Sequence, residues 1–402
     1  MKKGGNLVLK VVFAHDHFFV KDADNFYSSS GSFTTQVIER YDRIFDHVDL
    51  LTRQKELSEK QDSQILSLIR VKNASFIEVP NFKSFTMYHR RISEAKKIIE
   101  ASVKANDCLI ARLPSSIGAI AIHYAQKHQK PYLVELVGCP WDALWNYGSL
   151  LGKLIAPFTY LKTKRLVRNS KYVIYVSNVF LQRRYPTKGI SIACSNVSIP
   201  EPEGKVLQKR LDKIRSRKED DPLILGTAAG INVKYKGQQY VIKALSKLVK
   251  LGYNVEYHLA GGGSKEYLTS VAEKCGVIDR VKFLGSIPHE GMFDYFDSLD
   301  IYVQPSKQEG LPRALVEASR GCPTTGSRTG GIPELLEDDL IFRKGSVRDI
   351  IRIIKELDVS KMEELSKKSF EKAKEYRSNI LEERRASFLK GFRKSVEATV
   401  VD

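Results

Sequence analysis

Gln304-Pro305-Ser306-Lys307-Gln308-Glu309-Gly310-Leu311-Pro312-Arg313-Ala314-Leu315-Val316-Glu317-Ala318 reads as the end of a strand, a loop and the start of a helix. The apolar run just before it, 301–303, predicts a short buried strand, and Pro305-Ser306 ends it. A loop with Glu309 and Gly310 follows. Pro312 suits the first position of a helix, where its missing N–H would be unbonded anyway. Ala314, Leu315 and Ala318 then recur at helical spacing and predict a packing face. Two carboxylates therefore stand near one helix N-terminus, Glu309 on the loop and Glu317 a turn or so inside. Free backbone N–H groups and the positive end of the helix dipole lie between them, a setting suited to a diphosphate. An arbitrary pair of glutamates is more often a pair of solvated surface acids.

The wider string sets this pair apart. Val303-Gln304-Pro305-Ser306, Glu309-Gly310-Leu311-Pro312, Glu317-Ala318 and Thr329-Gly330-Gly331-Ile332-Pro333-Glu334 together resemble the donor-site signature of glycosyltransferase family 4. The two glutamates stand at that family's E-x7-E spacing. The resemblance implies a retaining, metal-independent enzyme with the α/β GT-B fold, two Rossmann-like domains facing a central cleft. It further implies that Glu317 holds ribose hydroxyls and Glu309 the hydroxyls of the transferred sugar. Ser306 and the backbone N–H groups of Gly310 and Leu311 join them in the donor pocket.

Bulk properties agree with two domains. A chain of 402 residues is long enough for two cores of ordinary size, and its 42% hydrophobic fraction is that of a globular protein. Five scattered cysteines without a C-x-x-C pair read as reduced core residues. The start, Met1-Lys2-Lys3-Gly4-Gly5-Asn6, runs into a first strand rather than a signal peptide, and no stretch approaches the roughly 18 apolar residues needed to span a bilayer. The expected location is the cytoplasm, free or peripheral on the inner face of the cell membrane. The net charge of +18 calls for an anionic partner. Its distribution is uneven. From 143 to 200 there is no Asp or Glu, against nine cations, Lys153, Lys162, Lys164, Arg165, Arg168, Lys171, Arg183, Arg184 and Lys188.

Taken in order, the first half alternates apolar strands with helical patterns. A strand over 7–14 carries His15, Asp16 and His17 at its end; helices follow over 34–45 and 87–104, and strands over 48–51, 76–79, 108–111, 132–137 and 172–176. Such alternation predicts a parallel sheet covered on both faces, with ligands at the strand C-termini. Tyr175-Val176-Ser177 and Cys194-Ser195-Asn196-Val197 extend the family resemblance, with Val197 where the family has Gly. Residues 1–200 read as an acceptor domain and 201–221, charged and broken by Pro202 and Gly204, as the linker. Residues 222–380 read as the nucleotide-sugar donor domain, and 381–402 as a helix that crosses back to the first domain. Donor-domain strands are expected over 223–226, 255–260, 281–284, 301–303 and 324–325.

Other candidate residues follow from these junctions. Lys236, before Gly237 at a loop-to-helix turn, suits a phosphate-neutralising cation. The family's usual Arg some six residues earlier is Gly230 here, so Lys234 is the candidate second cation. Gly262, in Gly261-Gly262-Gly263, belongs to a nest-forming turn next to the donor pocket. Gly31 lies where the family has a Gly-rich loop against the diphosphate, although a simple loop tip explains it equally well. The family's cleft His is replaced by Val137-Gly138. Asp142 just beyond is a candidate to orient the sugar or acceptor, or else a helix N-cap. His15 and His17 are alternative cleft histidines. No cluster has metal-ligand spacing and no cofactor is expected.

These readings converge on transfer of a sugar from a nucleotide-sugar donor, by the resemblance a uridine diphosphate sugar, to a glycan or lipid-linked acceptor in surface polysaccharide assembly. The basic, amphipathic stretch 150–168 suits either an anionic membrane surface or a core-packing helix with a solvated basic face. Two rival functions are a GT-B nucleotide-sugar epimerase and a non-enzymatic nucleic-acid binder. The second has only charge in its favour and lacks recognition motifs.

Overall fold

A computed structural model describes residues 7–23, 25–28, 33–57, 66–82 and 88–401. Fifteen strands form two sheets. The first sheet holds β1 (Lys10–Asp22), β2 (Asn25–Ser28), β3 (His47–Glu56), β4 (Ser67–Leu68), β5 (Ala74–Glu78), β6 (Cys108–Leu113), β7 (Tyr132–Leu136), β8 (Tyr172–Tyr175) and β9 (Ile190–Ala193). The second holds β10 (Leu223–Ala228), β11 (Val255–Ala260), β12 (Val281–Gly285), β13 (Ile301–Gln304), β14 (Thr324–Ser327) and β15 (Ile341–Phe342).

The parallel part of the first sheet runs β5-β3-β1-β6-β7-β8-β9, and the second runs β12-β11-β10-β13-β14-β15. In each, strand order reverses once, between β1 and β6 and between β10 and β13. Crevices open at the C-terminal ends of such strand pairs, which is where open α/β sheets bind ligands. Strands in the middle of such sheets are covered on both faces and therefore buried. β6 and β13 are buried at every residue.

One strand departs from expectation. β1 does not end at Ala14. Its pairing with β3 shifts between Ala14 and Phe18, and the apolar Phe18-Phe19-Val20 carries it on into an antiparallel hairpin with β2. His15, Asp16 and His17 therefore lie inside the strand, at the irregularity. Both Asp16 carboxylate oxygens accept N–H groups, from Ser116 and Ile117 at 3.0 Å each, and so cap the helix Ser116–Lys127.

The connection over 201–221 is largely the helix Gly204–Ser216, and it belongs to the second domain. Its Arg210 is buried and donates to the carbonyls of Phe296 (2.8 Å) and Leu299. The last helix, Ser378–Val401, returns to the first domain, with Leu389, Phe392 and Val396 fully buried and Arg393 bonded to the Ile44 carbonyl and to Asp46 at 3.0 Å.

The helix Leu150–Arg168 does not pack its apolar stripe inward. Its buried positions are Gly152, Ala156, Thr163 and Val167, whereas Leu150, Leu154 and Phe158 are 79%, 69% and 74% exposed. All five cysteines are free, four of them buried.

Candidate active site

The site is built where β10 and β13 part. The loop after β10 holds Lys234–Lys236 in a short 3-10 turn that ends at Gly237, whose φ of +82° is left-handed. A Cβ there would stand 2.0 Å from the Pro305 carbonyl oxygen, so only glycine lets this turn lie against the loop after β13. The Lys307 N–H donates to the Tyr235 carbonyl at 2.7 Å and laces the two loops together. Lys236 thus reaches Glu309, Nζ to Oε1 at 2.7 Å.

Glu309 is held from the strand side as well. Gln304 at the end of β13 donates from Nε2 to Glu309 Oε1 (3.3 Å) and to Ser306 Oγ (2.8 Å), and the Tyr302 hydroxyl donates to Gln304 Oε1 at 2.6 Å. Ser306 is fully buried, and its carbonyl accepts from the Ser327 hydroxyl. Expected to face the donor, Ser306 instead supports Gln304, because β13 continues through Gln304 and turns its side chain inward.

The helix after this loop is Arg313–Ala318, with Pro312 as its extended N-cap rather than its first residue. At six residues it contributes less dipole than a longer helix. The donors on the loop are what remain available. Among the described residues the N–H groups of Gly310 and Leu311 have no protein acceptor. Glu317 is 5% exposed, and no hydrogen bond within the protein reaches its carboxylate among the described residues. Burial raises its pKa above the ordinary carboxyl value, while Arg313 and His289 pull it back.

Lys234 and Gly262 sit apart from this pair. Lys234 is exposed with its ammonium 4.7 Å from the centre of the Tyr267 ring. Gly262 follows β11; its carbonyl accepts from the Ile231 N–H at 3.1 Å, and the neighbouring Gly261 N–H is occupied by the Gly285 carbonyl at 2.7 Å. The turn is therefore laced to both adjoining loops and is not a fully open nest. Gly31 lies outside the described residues.

The first domain closes over the site. Gly310 faces Val137-Gly138 at the end of β7, where a Cβ on Gly310 would stand 2.4 Å from the Val137 carbonyl oxygen. Asn146, on the helix Pro140–Asn146, donates to the Lys307 carbonyl at 3.3 Å. Asp142 on that helix is not its N-cap; Cys139 is, with Sγ accepting from the Asp142 N–H at 3.4 Å. The Asp142 carboxylate is buried beside Arg184, 3.5 Å away. That pairing ties it to its own domain, and on this helix it is Asn146 that reaches across to the second domain.

Sequence reasoning gives no role to Glu334 at the end of the Thr329–Glu334 motif. Its carboxylate crosses to the first domain and accepts the N–H groups of Asn178 (2.5 Å) and Phe180 (2.6 Å). Arg112, at the end of β6, is a second residue to which sequence reasoning gives no role. With Arg40, Asn196, Leu311 and Arg313, Arg112 lines a crevice of about 170 Å³ between the domains. Arg112 is buried, stacks 4.6 Å over Phe33, and lies 4.0 Å from Glu135. His17 is half-buried nearby, and its partial burial together with Arg112 lowers its pKa to about 4, so its imidazole is neutral near pH 7. Among the described residues no group of acidic, His and Cys side chains has the clustering of a metal site.

Comparison with known proteins now bears on this geometry. Residues 208–376 match the family described as glycosyl transferases group 1. Protein CapJ of Staphylococcus aureus is 33% identical over 360 residues, 88% of this chain and 87% of CapJ. The amylovoran biosynthesis glycosyltransferase AmsK of Erwinia amylovora is 35% identical over 127 residues, 30% of this chain and 31% of its own. Among solved structures, Anabaena Alr3699/HepE in complex with UDP and glucose superposes with a TM-score of 0.62 at 16% identity, covering 95% of this chain and 99% of that one. That likeness establishes the fold as GT-B, two Rossmann-like domains about a cleft. With the matched segment spanning every element that builds Lys236, Glu309 and Glu317, the chain belongs to the group 1 glycosyltransferases.

Proposed function

We propose that this glycosyltransferase uses a uridine diphosphate sugar, without a metal ion and with retention at the anomeric carbon, and delivers the sugar to a glycan or lipid-linked acceptor in surface polysaccharide assembly. The observation that carries the reading is the Lys236–Glu309 pair at the strand reversal of the second sheet, followed on the next helix by the buried carboxylate of Glu317, which has no hydrogen-bond partner among the described residues. Glu317 receives the ribose hydroxyls. Glu309 receives hydroxyls of the sugar. Lys236, released in part from Glu309, and the N–H groups of Gly310 and Leu311 face the diphosphate.

The bond that breaks joins the sugar's anomeric carbon to the β-phosphate oxygen, and the bond that forms joins that carbon to an acceptor oxygen. Negative charge builds on the leaving diphosphate, where preorganised donors lower the barrier most. Closure of the domains over Gly310 excludes water that would otherwise hydrolyse the donor. The relative crystallised with UDP and glucose supports the donor class, and the relative named for amylovoran biosynthesis supports the product class. In this reading the reaction takes place in the cytoplasm, on or near the inner face of the cell membrane.

The test is calorimetric titration of the wild type and Glu317→Ala with the diphosphates of uridine, guanosine, adenosine and cytidine. Selective binding of the uridine compound, lost in the variant, is expected. Binding of none of them, or equal binding by the variant, would overturn the assignment. Turnover of a uridine diphosphate sugar that stops on adding a chelator would overturn the metal-free part.

A further inference from the structure

We infer that the helix Leu150–Arg168 docks the enzyme on an anionic lipid bilayer with its outward apolar stripe in the interfacial layer. The inference does not depend on which nucleotide the donor site prefers. Leu150, Leu151, Leu154, Ile155, Phe158 and Leu161 are each 42–79% exposed. At 100° per residue they fall within an arc of roughly 140° on one side of the helix. Folded chains seldom leave so continuous an apolar band to water, and a band of this kind marks a contact surface.

Charge says which contact. Lys153, Lys162, Arg165 and Arg168 are exposed along the helix, within an interval over 143–200 that holds no acidic residue. Trp145, 44% exposed, and Tyr147, 76% exposed, stand just before it. Lys162, Arg165 and Arg168 continue the same arc beyond Leu161, so one surface offers apolar residues, cations and aromatic rings with polar ends to the acyl chains and anionic headgroups of a bilayer. A second copy of this chain fits less well, because a twofold contact through the stripe would join two basic faces from an interval that offers no carboxylate to neutralise them. No helix among the described residues is long and apolar enough to cross a membrane, so attachment through this helix is by surface insertion.

The placement has a functional consequence. The helix follows the segment whose Asn146 touches the Lys307 carbonyl on the donor loop. Docking it therefore brings the cleft mouth to the lipid surface, where an acceptor carried on a lipid would enter.

The experiment is co-sedimentation with phosphatidylcholine vesicles, alone or with about one third phosphatidylglycerol. It compares the wild type, Leu154→Ser/Phe158→Ser and Lys162→Gln/Arg165→Gln, with thermal unfolding as the check that each variant folds and gel filtration as the check on association. The wild type should bind the anionic vesicles and weaken as salt is raised. The apolar variant should lose partition by about tenfold or more, and the charge variant should lose the preference for anionic lipid. An apolar variant that binds like the wild type, or a wild type that binds neither vesicle, would overturn the proposal. Equal wild-type binding to both vesicles would overturn the anionic part. A wild-type dimer that the apolar variant makes monomeric, with no vesicle binding, would assign the stripe to a second copy instead.

Discussion

Glu317 sits almost wholly out of water with no donor to its carboxylate among the described residues, a cost that the proposed ribose hydroxyls would offset. Burial lifts its pKa, against the pull of Arg313 on its own helix and of His289. A carboxyl whose pKa is higher folded than unfolded favours folding below its unfolded value and loses that contribution as pH rises through the folded one. At neutral pH the ionised group therefore weighs against the empty fold. Glu317→Gln should raise thermal stability by roughly 1 kcal/mol at neutral pH, less in acid, where the wild-type group is already protonated. Donor affinity should fall in the same variant by about tenfold or more, since amide hydrogen bonds to the ribose are weaker than charged ones. Thermal unfolding across pH, paired with calorimetry, checks both. A variant less stable than the wild type at neutral pH would mean that the carboxylate is a structural partner and not a ligand held in reserve.

At the scale of loops and strands, the glycine at 310 separates binding from closure. Its Cα approaches the end of β7 so nearly that a methyl group would meet the Val137 carbonyl, yet Gly310→Ala keeps the backbone N–H that faces the donor. The variant should bind nucleotide nearly as the wild type does, while kcat falls about 100-fold, the scale of effect that a misplacement of about 1 Å produces. Glu334→Ala should act in the same direction by removing the carboxylate that joins the second domain to Asn178 and Phe180. Small-angle scattering with nucleotide present reads the loss of closure, and unchanged compaction with unchanged kcat in both variants would refute it. These contacts also mark where sequence reading stops. The units themselves are legible, because apolar runs of strand length end at Pro or Gly and pass into helical spacing, as at 301–318. The carboxylate of Glu334 reaches residues more than 150 positions away, and no local pattern records that. β1 reads short in the sequence because a polar triplet inside a strand looks like its end. Helical periodicity finds the stripe at 150–161 but not the direction it faces, and Ser306 resembles a ligand because the register of Gln304 is set by neighbouring strands.

For the whole molecule, the final helix couples the two ends of the chain. The crossing begins where Ile199 and Arg377 pair and continues along the first domain. There Arg385, buried, donates to the Ser195 carbonyl (2.8 Å) and to Asn196 Oδ1 (2.9 Å), the segment that leaves the first sheet. Phe392 is fully buried with its ring 5.3 Å from Tyr172 and 6.3 Å from Phe45. The helix completes the first domain's core although it follows the second domain in sequence, so the first domain cannot finish folding until this helix has been made. Phe392→Ala should cost about 3–5 kcal/mol through lost burial and the cavity it leaves. That cost should fall chiefly on the first domain, because the second closes one face of its sheet with the helices Gly204–Ser216 and Val359–Ala373, in a cluster separate from the one that holds Phe392. Scanning calorimetry with and without the bound nucleotide checks this. The transition that nucleotide raises belongs to the second domain and should hold its temperature in the variant, while the other should fall by several degrees. Equal displacement of both would show that the helix fuses the two domains into one cooperative unit, with cleft closure and folding drawing on the same contacts.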